Sequence, residues 1–345
     1  MTEPSLTETP MTPMTPMTTL AAPLATAAAV IAASQLGVFD ALDQAAASAK
    51  ELSERLGVDH AGITCLTEML HTVGYLERAG SRFINGAIPR AWLTSSSPVD
   101  FTPGALWSAE VFRFLGDLAP SVRRGGPSET MYQRMATHPD VGRVFAQYMK
   151  AAAQLTAAAA AQTASLPDDS ARLLDLGGSH GLNSVAFCRR YPNLVATVYD
   201  LPVALQEADQ TIAAEQLVDR VTTQPGDYFT DDIGHDWDVI LCFDLIHNHQ
   251  AEQNRHLLTK IAAALRPGGM IVVKDFLRTD PPDAFHAAFS LIMFSENGTR
   301  TYTYEELGRW LGDAGFEGLE RFDLPPTGQS SIVTARRADR SAADS

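Results

Sequence analysis

A histidine stands in the segment Phe243-Asp-Leu-Ile-His-Asn-His, directly after an apolar run, and an aspartate, Asp275, closes the next apolar run. Imidazole titrates near neutrality, so His247 has the chemistry of a general base. A carboxylate such as Asp275 can orient that ring or stabilise its charged form. Upstream lies Asp175-Leu-Gly-Gly-Ser-His-Gly181. Glycines let a backbone turn tightly and approach a ligand closely, and the helix that begins near Leu182 presents free amides to the same space. Asp200 closes the following strand-like segment, where a carboxylate accepts hydrogen bonds from ribose hydroxyls. Gly226-Asp227-Tyr228-Phe229 follows a further one and offers a carboxylate and aromatic rings to an adenine. The set describes a nucleoside-bearing ligand beside a base.

Such groups need a frame. Leu173–Leu176, Val195–Asp200, Val239–Cys242 and Met270–Asp275 read as buried parallel strands, with a weaker one at Val221–Thr223. Helical patterns separate them, for example Leu257–Leu265, which runs into Arg266-Pro-Gly-Gly. Strand–helix alternation predicts an α/β fold, a doubly wound Rossmann-like sheet whose ligands sit beyond the strand C-termini. A dinucleotide calls for a full GxGxxG to seat its pyrophosphate, and the third glycine of that pattern is not met. The remaining alternative for the loop is a tight turn without a ligand.

The chain in front has a different texture. Residues 1–18 repeat Met-Thr-Pro and are expected to be a disordered tail. Leu20–Leu42 reads as one alanine-rich helix. A second helix opens with a capping box, Ser48 with Glu51, and ends at Gly57. A third runs from Ala61 to Val73, and two β-like segments follow, Tyr75–Arg78 and Arg82–Asn85. That order is a winged helix, which raises a DNA-binding regulator as a competing class. From Asp59 to Gly74 there is no Lys or Arg, whereas phosphate contact and guanine reading both want basic side chains. A packing or dimerisation module is the better reading.

Composition agrees. The 345 residues are 45% apolar and 19% charged, enough for two domains, with a net charge of −15 from 41 acidic and 26 basic residues. That surplus repels nucleic acid and anionic membranes. Cys65, Cys188 and Cys242 are far apart and odd in number, which argues against a disulfide scaffold or zinc site. The N-terminus lacks the pattern of a signal peptide, so a soluble, cytoplasmic protein is expected. The expected division is a tail at 1–18, a winged-helix-like dimerisation domain at 19–100, a helical connector at 101–165, a catalytic domain at 166–338 and a tail at 339–345.

With these motifs in place, the chain resembles the plant- and actinomycete-type small-molecule O-methyltransferases that carry an N-terminal dimerisation domain. The resemblance covers nearly everything from residue 20 to 336. Asp-Leu-Gly-Gly-Ser-His-Gly resembles that family's cofactor loop, Asp200-Leu-Pro its ribose site and Gly226-Asp-Tyr-Phe its adenine site. Leu265-Arg-Pro-Gly-Gly and Gly298-Thr-Arg-Thr are similar too. The resemblance implies S-adenosylmethionine as cofactor, held by Asp175, Gly177, Ser179, Gly181, Asp200, Leu201, Gly226, Asp227, Tyr228 and Cys242. An acid at Asp175 faces the methionine portion in that family, and Ser179 replaces one of its loop glycines. The family's catalytic histidine matches His247 and an acid partner matches Asp275. His249 stands where the family has Trp, and a second acid would fall at Thr299, so it is absent.

The acceptor pocket is expected to draw on Trp107, Phe112, Tyr148, Met149, Phe289, Met293 and Asn297, with Met149 and Met293 foremost. Helix Leu20–Leu42 is expected to intertwine with a second subunit, giving a homodimer. His180 reads as a solvent-facing turn residue, and His247 itself has the alternative of merely capping the next helix. Asp244, His247 and His249 do not form a recognised metal pattern, so no metal is assigned. The reading is methyl transfer to a phenolic or enolic oxygen of a small molecule. Alternatives are a carbon or nitrogen acceptor, a family member with non-methylating chemistry, and a ligand-responsive DNA-binding regulator.

Overall fold

The computed structural model describes residues 16–325 and 329–339, in two units that divide between Ala109 and Glu110. The first unit opens with α1 (Pro16–Leu36) and α2 (Val38–Gln44). The single helix expected over Leu20–Leu42 is therefore two. Gly37 takes a left-handed φ of 72° between them, and the axis bends by 62°. The described part of α1 already covers residues 16–18, inside the segment expected to be a tail. The rest of that tail, residues 1–15, lies outside the described residues, as do 340–345 of the C-terminal one.

Next come α3 (Ala49–Leu56) and α4 (His60–Thr72). The capping box of α3 is present, since Ser48 N donates to Glu51 Oε2 at 2.7 Å and Glu51 N to Ser48 Oγ at 3.3 Å. Asp59 caps α4 by accepting from Gly62 N. A two-stranded hairpin, β1 (Leu76–Ala79) with β2 (Arg82–Asn85), completes the winged-helix order. Phe39, Leu52, Leu70, Leu76 and Phe83 form the core, each burial worth roughly 1.5–3 kcal/mol. After α5 (Ala87–Trp92) the long α6 (Thr102–Gly116) carries the chain across the boundary. No single helix among the described residues is long and apolar enough to cross a membrane, although the bent α1–α2 pair passes by length and composition.

The second unit starts with helices α7 (Leu118–Arg124), α8 (Met131–Thr137) and α9 (Pro139–Thr163). Then the alternation begins: β3 (Arg172–Leu176), α10 (Leu182–Arg190), β4 (Val195–Asp200), α11 (Pro202–Ala214), β5 (Val221–Pro225) and β6 (Trp237–Phe243). A 3₁₀ turn (Ile246–Asn248) leads to α12 (Ala251–Ala264) and β7 (Leu265–Asp275). Helices α13 (Ala284–Asn297) and α14 (Tyr304–Asp313) precede β8 (Phe316–Asp323) and β9 (Ser331–Arg337). The seven strands are ordered β5-β4-β3-β6-β7-β9-β8, and all run in one direction except β9, which is antiparallel to both of its neighbours.

Side chains alternate across this sheet. Leu174, Leu176, Ile240, Ile271 and Val273 face α12 and α14, whereas Leu173, Val239, Leu241 and Val272 face α9, α10 and α11. Strand order reverses between β3 and β6, which opens a crevice at the carboxyl edge. Asp175, Asp200, Pro225 and Asp275 all stand at or next to that edge.

Candidate active site

Past β3 the backbone makes a tight turn with positive φ at Gly177, Ser179 and Gly181. A Cβ on Gly178 would lie 2.6 Å from the Asp175 carboxyl carbon. Ser179 bears its φ of 39° as an ordinary residue, a strained conformation, and its amide donates to Asp200 Oδ2 at 2.9 Å. Asp200 Oδ1 accepts from Leu201 N at 2.7 Å. Two amides therefore fix a carboxylate whose remaining lone pairs suit ribose hydroxyls. Burial nonetheless pushes its pKa up to about 6. Leu201 itself is exposed at the start of α11.

Asp175 is wholly buried. Its Oδ2 accepts from the Ser184 hydroxyl at 2.8 Å and the Ser184 amide at 3.2 Å, which ties the strand end to α10. Its Oδ1 has no partner, and burial pushes its pKa up to about 6. On the far side of β4, Gly226 N donates to Asp200 O, and a Cβ there would run into the Tyr199 hydroxyl. Asp227 Oδ1 accepts from Phe229 N at 2.8 Å, shaping its own loop. An unpartnered buried oxygen, a doubly fixed carboxylate and two positions with no room for a Cβ together fit an adenosyl group bearing a charged amino-acid tail.

The turn after β6 holds His247, the candidate base. Lys274, buried, pairs with Asp244 at 2.7 Å, and Asp244 N donates to Lys274 O, so the loop is pinned to β7. His247 Nδ1 lies 2.8 Å from Asp275 Oδ1, and His247 N donates to Asp275 Oδ2 at 3.3 Å. With the carboxylate against Nδ1, the Nδ1 position carries the proton and Nε2 keeps the lone pair. Desolvation works against the charged ring, but Asp275, aided by Asp244 and Glu296, outweighs it and raises the His247 pKa. Phe289 stands edge-on to the ring at 5.1 Å, and Asn248 Nδ2 lies 3.3 Å from Nε2.

Similarity to known proteins now bears on this geometry. A model of the O-methyltransferase domain matches residues 117–317, and one of the O-methyltransferase dimerisation domain matches 19–95. The chain belongs to the O-methyltransferase family. The cofactor of that family is S-adenosylmethionine, and its members are methyltransferases. This O-methyltransferase is 29% identical over 322 residues to 3-hydroxy-5-methyl-1-naphthoate 3-O-methyltransferase of Streptomyces sahachiroi, covering 89% of this chain and 90% of that one. It is 27% identical over 218 residues to L-tyrosine C(3)-methyltransferase of Streptomyces lavendulae, covering 61% and 59%. Among solved structures, that of mitomycin 7-O-methyltransferase matches with a TM-score of 0.85 at 25% identity over 93% of this chain and 96% of that one.

The remaining expected residues of this O-methyltransferase divide. Phe289, Met293 and Asn297 lie along α13 on the His247 side, and Asn297 Nδ2 donates to Asn248 Oδ1 at 3.3 Å. Tyr148 and Met149 are half-buried on α9; burial and the charges of Asp244 and Glu296 push the Tyr148 pKa up to about 12. Phe112 is 38% exposed on α6, and Trp107 is buried in the first unit. Cys242 is completely enclosed in the apolar cluster shared with Leu176 and Val273, and burial drives its thiol far up. Its surroundings are those of a core residue, because its strand position points into the packed face and away from the loops.

His180 departs from expectation. It is buried, its Nδ1 accepts from Leu182 N at 3.1 Å, and desolvation holds its pKa down to about 3. The turn folds it inward to receive an amide at the helix start. His249, in place of Trp, puts Nε2 2.8 Å from the Tyr228 hydroxyl, and burial lowers its pKa to about 4. Among the described residues no group of three His, Cys, Asp or Glu is arranged to hold a metal. Asp244 pairs with Lys274, His247 with Asp275 and His249 with Tyr228. Thr299 donates to the His247 carbonyl oxygen at 2.7 Å. Sequence reasoning missed Glu296, a buried acid one turn earlier, and Lys274; an acid two residues after the apolar run Leu291–Phe294 was the available signal.

Proposed function

We propose that this chain methylates a phenolic or enolic oxygen of a small molecule of secondary metabolism, with His247 as the general base. The observation that carries the reading is the buried His247–Asp275 pair, which leaves Nε2 as the accepting atom. Asp200, Ser179 and Gly226 would hold the nucleoside, with Asp175 and the turn 177–181 nearest the amino-acid tail. Bound S-adenosylmethionine supplies an electrophilic methyl group on a sulfonium. His247 Nε2 takes the acceptor's proton, and Asp275 stabilises the resulting imidazolium. Phe289 and Met293 exclude water from the oxygen as its charge develops.

Isothermal titration with S-adenosylmethionine and S-adenosylhomocysteine, followed by turnover of hydroxylated aromatic acceptors, tests this. The expected result is micromolar binding by the wild type, retained in His247→Ala, with methylation lost in that variant. Absence of binding to the wild type, or unimpaired methylation by His247→Ala, would overturn it.

A second reading is methylation at carbon beside a phenolic hydroxyl. The similarity to an L-tyrosine C(3)-methyltransferase favours it. There His247 would take the same phenolic proton and the ring carbon would be the nucleophile, so product analysis by mass and NMR separates the two.

The same proposal includes a homodimer built on the dimerisation domain, with residues 19–100, 101–165 and 166–338 as module, connector and catalytic domain. The apolar side chains of Leu20, Leu24 and Leu36, exposed in the single chain, support it. It also includes a cytoplasmic location and no nucleic-acid or membrane partner, in keeping with the net charge of −15. A monomeric mass by analytical ultracentrifugation at micromolar concentration would refute the dimer.

A further inference from the structure

Glu296 is a carboxylic acid in surroundings suited to an apolar residue. It is 1% exposed, its Oε1 has no hydrogen-bond partner, and it joins no ion pair among the described residues. Its neighbours define where it looks. Phe289, Met293 and Glu296 recur at helical spacing and share one face of α13. That face is the one in contact with the base, since Phe289 lies edge-on to the His247 ring and α13 packs on the 3₁₀ turn and on α8. The charge of Glu296 is felt by His247, by Tyr132 of α8 and by Tyr148 of α9. The acid therefore belongs to the wall around His247.

Two further oxygens nearby are in the same condition. Asn297 Oδ1 and Asp244 Oδ1 are buried without partners. They are linked to each other and to His247 through Asn248, which receives from Asn297 Nδ2 and donates to Asp244 O. Buried polar atoms are ordinarily paired, so three orphaned acceptors around one base describe the complement of a molecule that brings donors.

Resting on the reading of His247 as the base, we propose that Glu296 determines acceptor choice. Its Oε1 accepts a hydrogen bond from a second hydroxyl or amino group, carried by the acceptor beside the oxygen that yields its proton to His247. The substrate class is thus an aromatic diol or aminophenol. A site built to pair with a polar group rejects the analogue lacking it, because its own buried atom is then left bare.

The test is isothermal titration of matched probes into the full-length protein saturated with S-adenosylhomocysteine: catechol against phenol, and 2,3-dihydroxynaphthalene against 2-naphthol. The wild type is expected to bind a diol about 10- to 100-fold more tightly than its mono-hydroxy partner. Glu296→Leu is expected to lose that preference while binding the mono-hydroxy probe no worse. Glu296→Gln, which keeps shape and an acceptor oxygen, is expected to retain part of it and guards against a folding defect. Failure of the wild type to bind S-adenosylhomocysteine would overturn the methyl-transfer reading and this inference with it. With S-adenosylhomocysteine bound, equal affinity within each pair, no binding of either diol, or a preference that survives in Glu296→Leu would overturn this inference alone.

Discussion

His247 and Asp275 are joined twice, once through the ring and once through the backbone: Nδ1 lies 2.8 Å from Oδ1, and the His247 amide donates to Oδ2 at 3.3 Å. One carboxylate thus fixes the tautomer of the ring and the position of the turn that carries it. Asp275 Oδ1 also accepts from Phe276 N, so the acid is itself held. His247 and Asp275 thus form one hydrogen-bonded unit, not two side chains that happen to meet.

Because Asp275 is the main cause that raises the His247 pKa against desolvation, methylation is expected to fall as the pH drops, with a midpoint above 6.5. The base works only when neutral, so a raised pKa moves that acid limb upward. In Asp275→Asn the midpoint is expected to move down while the maximal rate also falls. His247→Ala should lower kcat by about 10²- to 10⁴-fold. A pH–rate profile of the wild type and both variants measures all three.

Asp200→Ala should weaken S-adenosylhomocysteine binding by about 10- to 100-fold, the worth of one or two hydrogen bonds to a charged group. The loss has two sources, the missing ribose contact and the release of the Ser179 and Leu201 amides that the carboxylate now fixes. Titration calorimetry reads it directly, and unchanged affinity would exclude Asp200 from the site.

Gly226→Ala puts a methyl group into the Tyr199 hydroxyl, and Tyr199 is among the most deeply buried side chains of the sheet. Overpacking of that kind costs about 1–3 kcal/mol. The expected outcome is a Tm lower by several degrees in a thermal scan, with weaker cofactor binding.

Burial pushes the Glu296 pKa up to about 7 from an ordinary 4.5. Above pH 7 the acid is charged both folded and unfolded, and the folded state carries the desolvation cost. As the pH falls through 7 the folded state takes up the proton first and that cost disappears. Glu296→Gln should therefore be more stable than the wild type at pH 8.5, by up to about 3 kcal/mol, and equal to it below pH 4.5. Denaturant melts at the two pH values check this.

Much of this arrangement was legible in the sequence because it rests on local rules. The strand ends at Asp200 and Asp275 follow from apolar runs that stop at an acid, Asp175 from an apolar run that ends one residue beyond it, and the Ser48–Glu51 cap from its spacing. What could not be read were matters of direction and distance. His180 looks like a turn residue until the turn is seen to fold it against Leu182 N. Cys242 sits in a strand that reaches the site, yet its alternation sends it into the core. Gly37 is one glycine in an apolar helix, and only its left-handed φ shows that the helix breaks there. Glu296 hides one helical turn before Thr299, the position at which the resemblance implies an acid, because the three-dimensional neighbour of His247 is a helix face and not a sequence position.

The order of strands bears on how the site is made on the ribosome. Strand β9 pairs with β7 on one side and β8 on the other, placing Ser331 opposite Asp275 and Ile332 opposite Lys274. The strand that ends in the acid therefore has an open edge during synthesis until residues 331–337 have left the exit tunnel. Strands β3, β4 and β5, whose ends carry Asp175, Asp200 and Gly226, are all synthesised well before then. The His247–Asp275 side of the sheet therefore closes last, and a chain stopped before residue 331 leaves the β7 edge that ends in Asp275 unpaired.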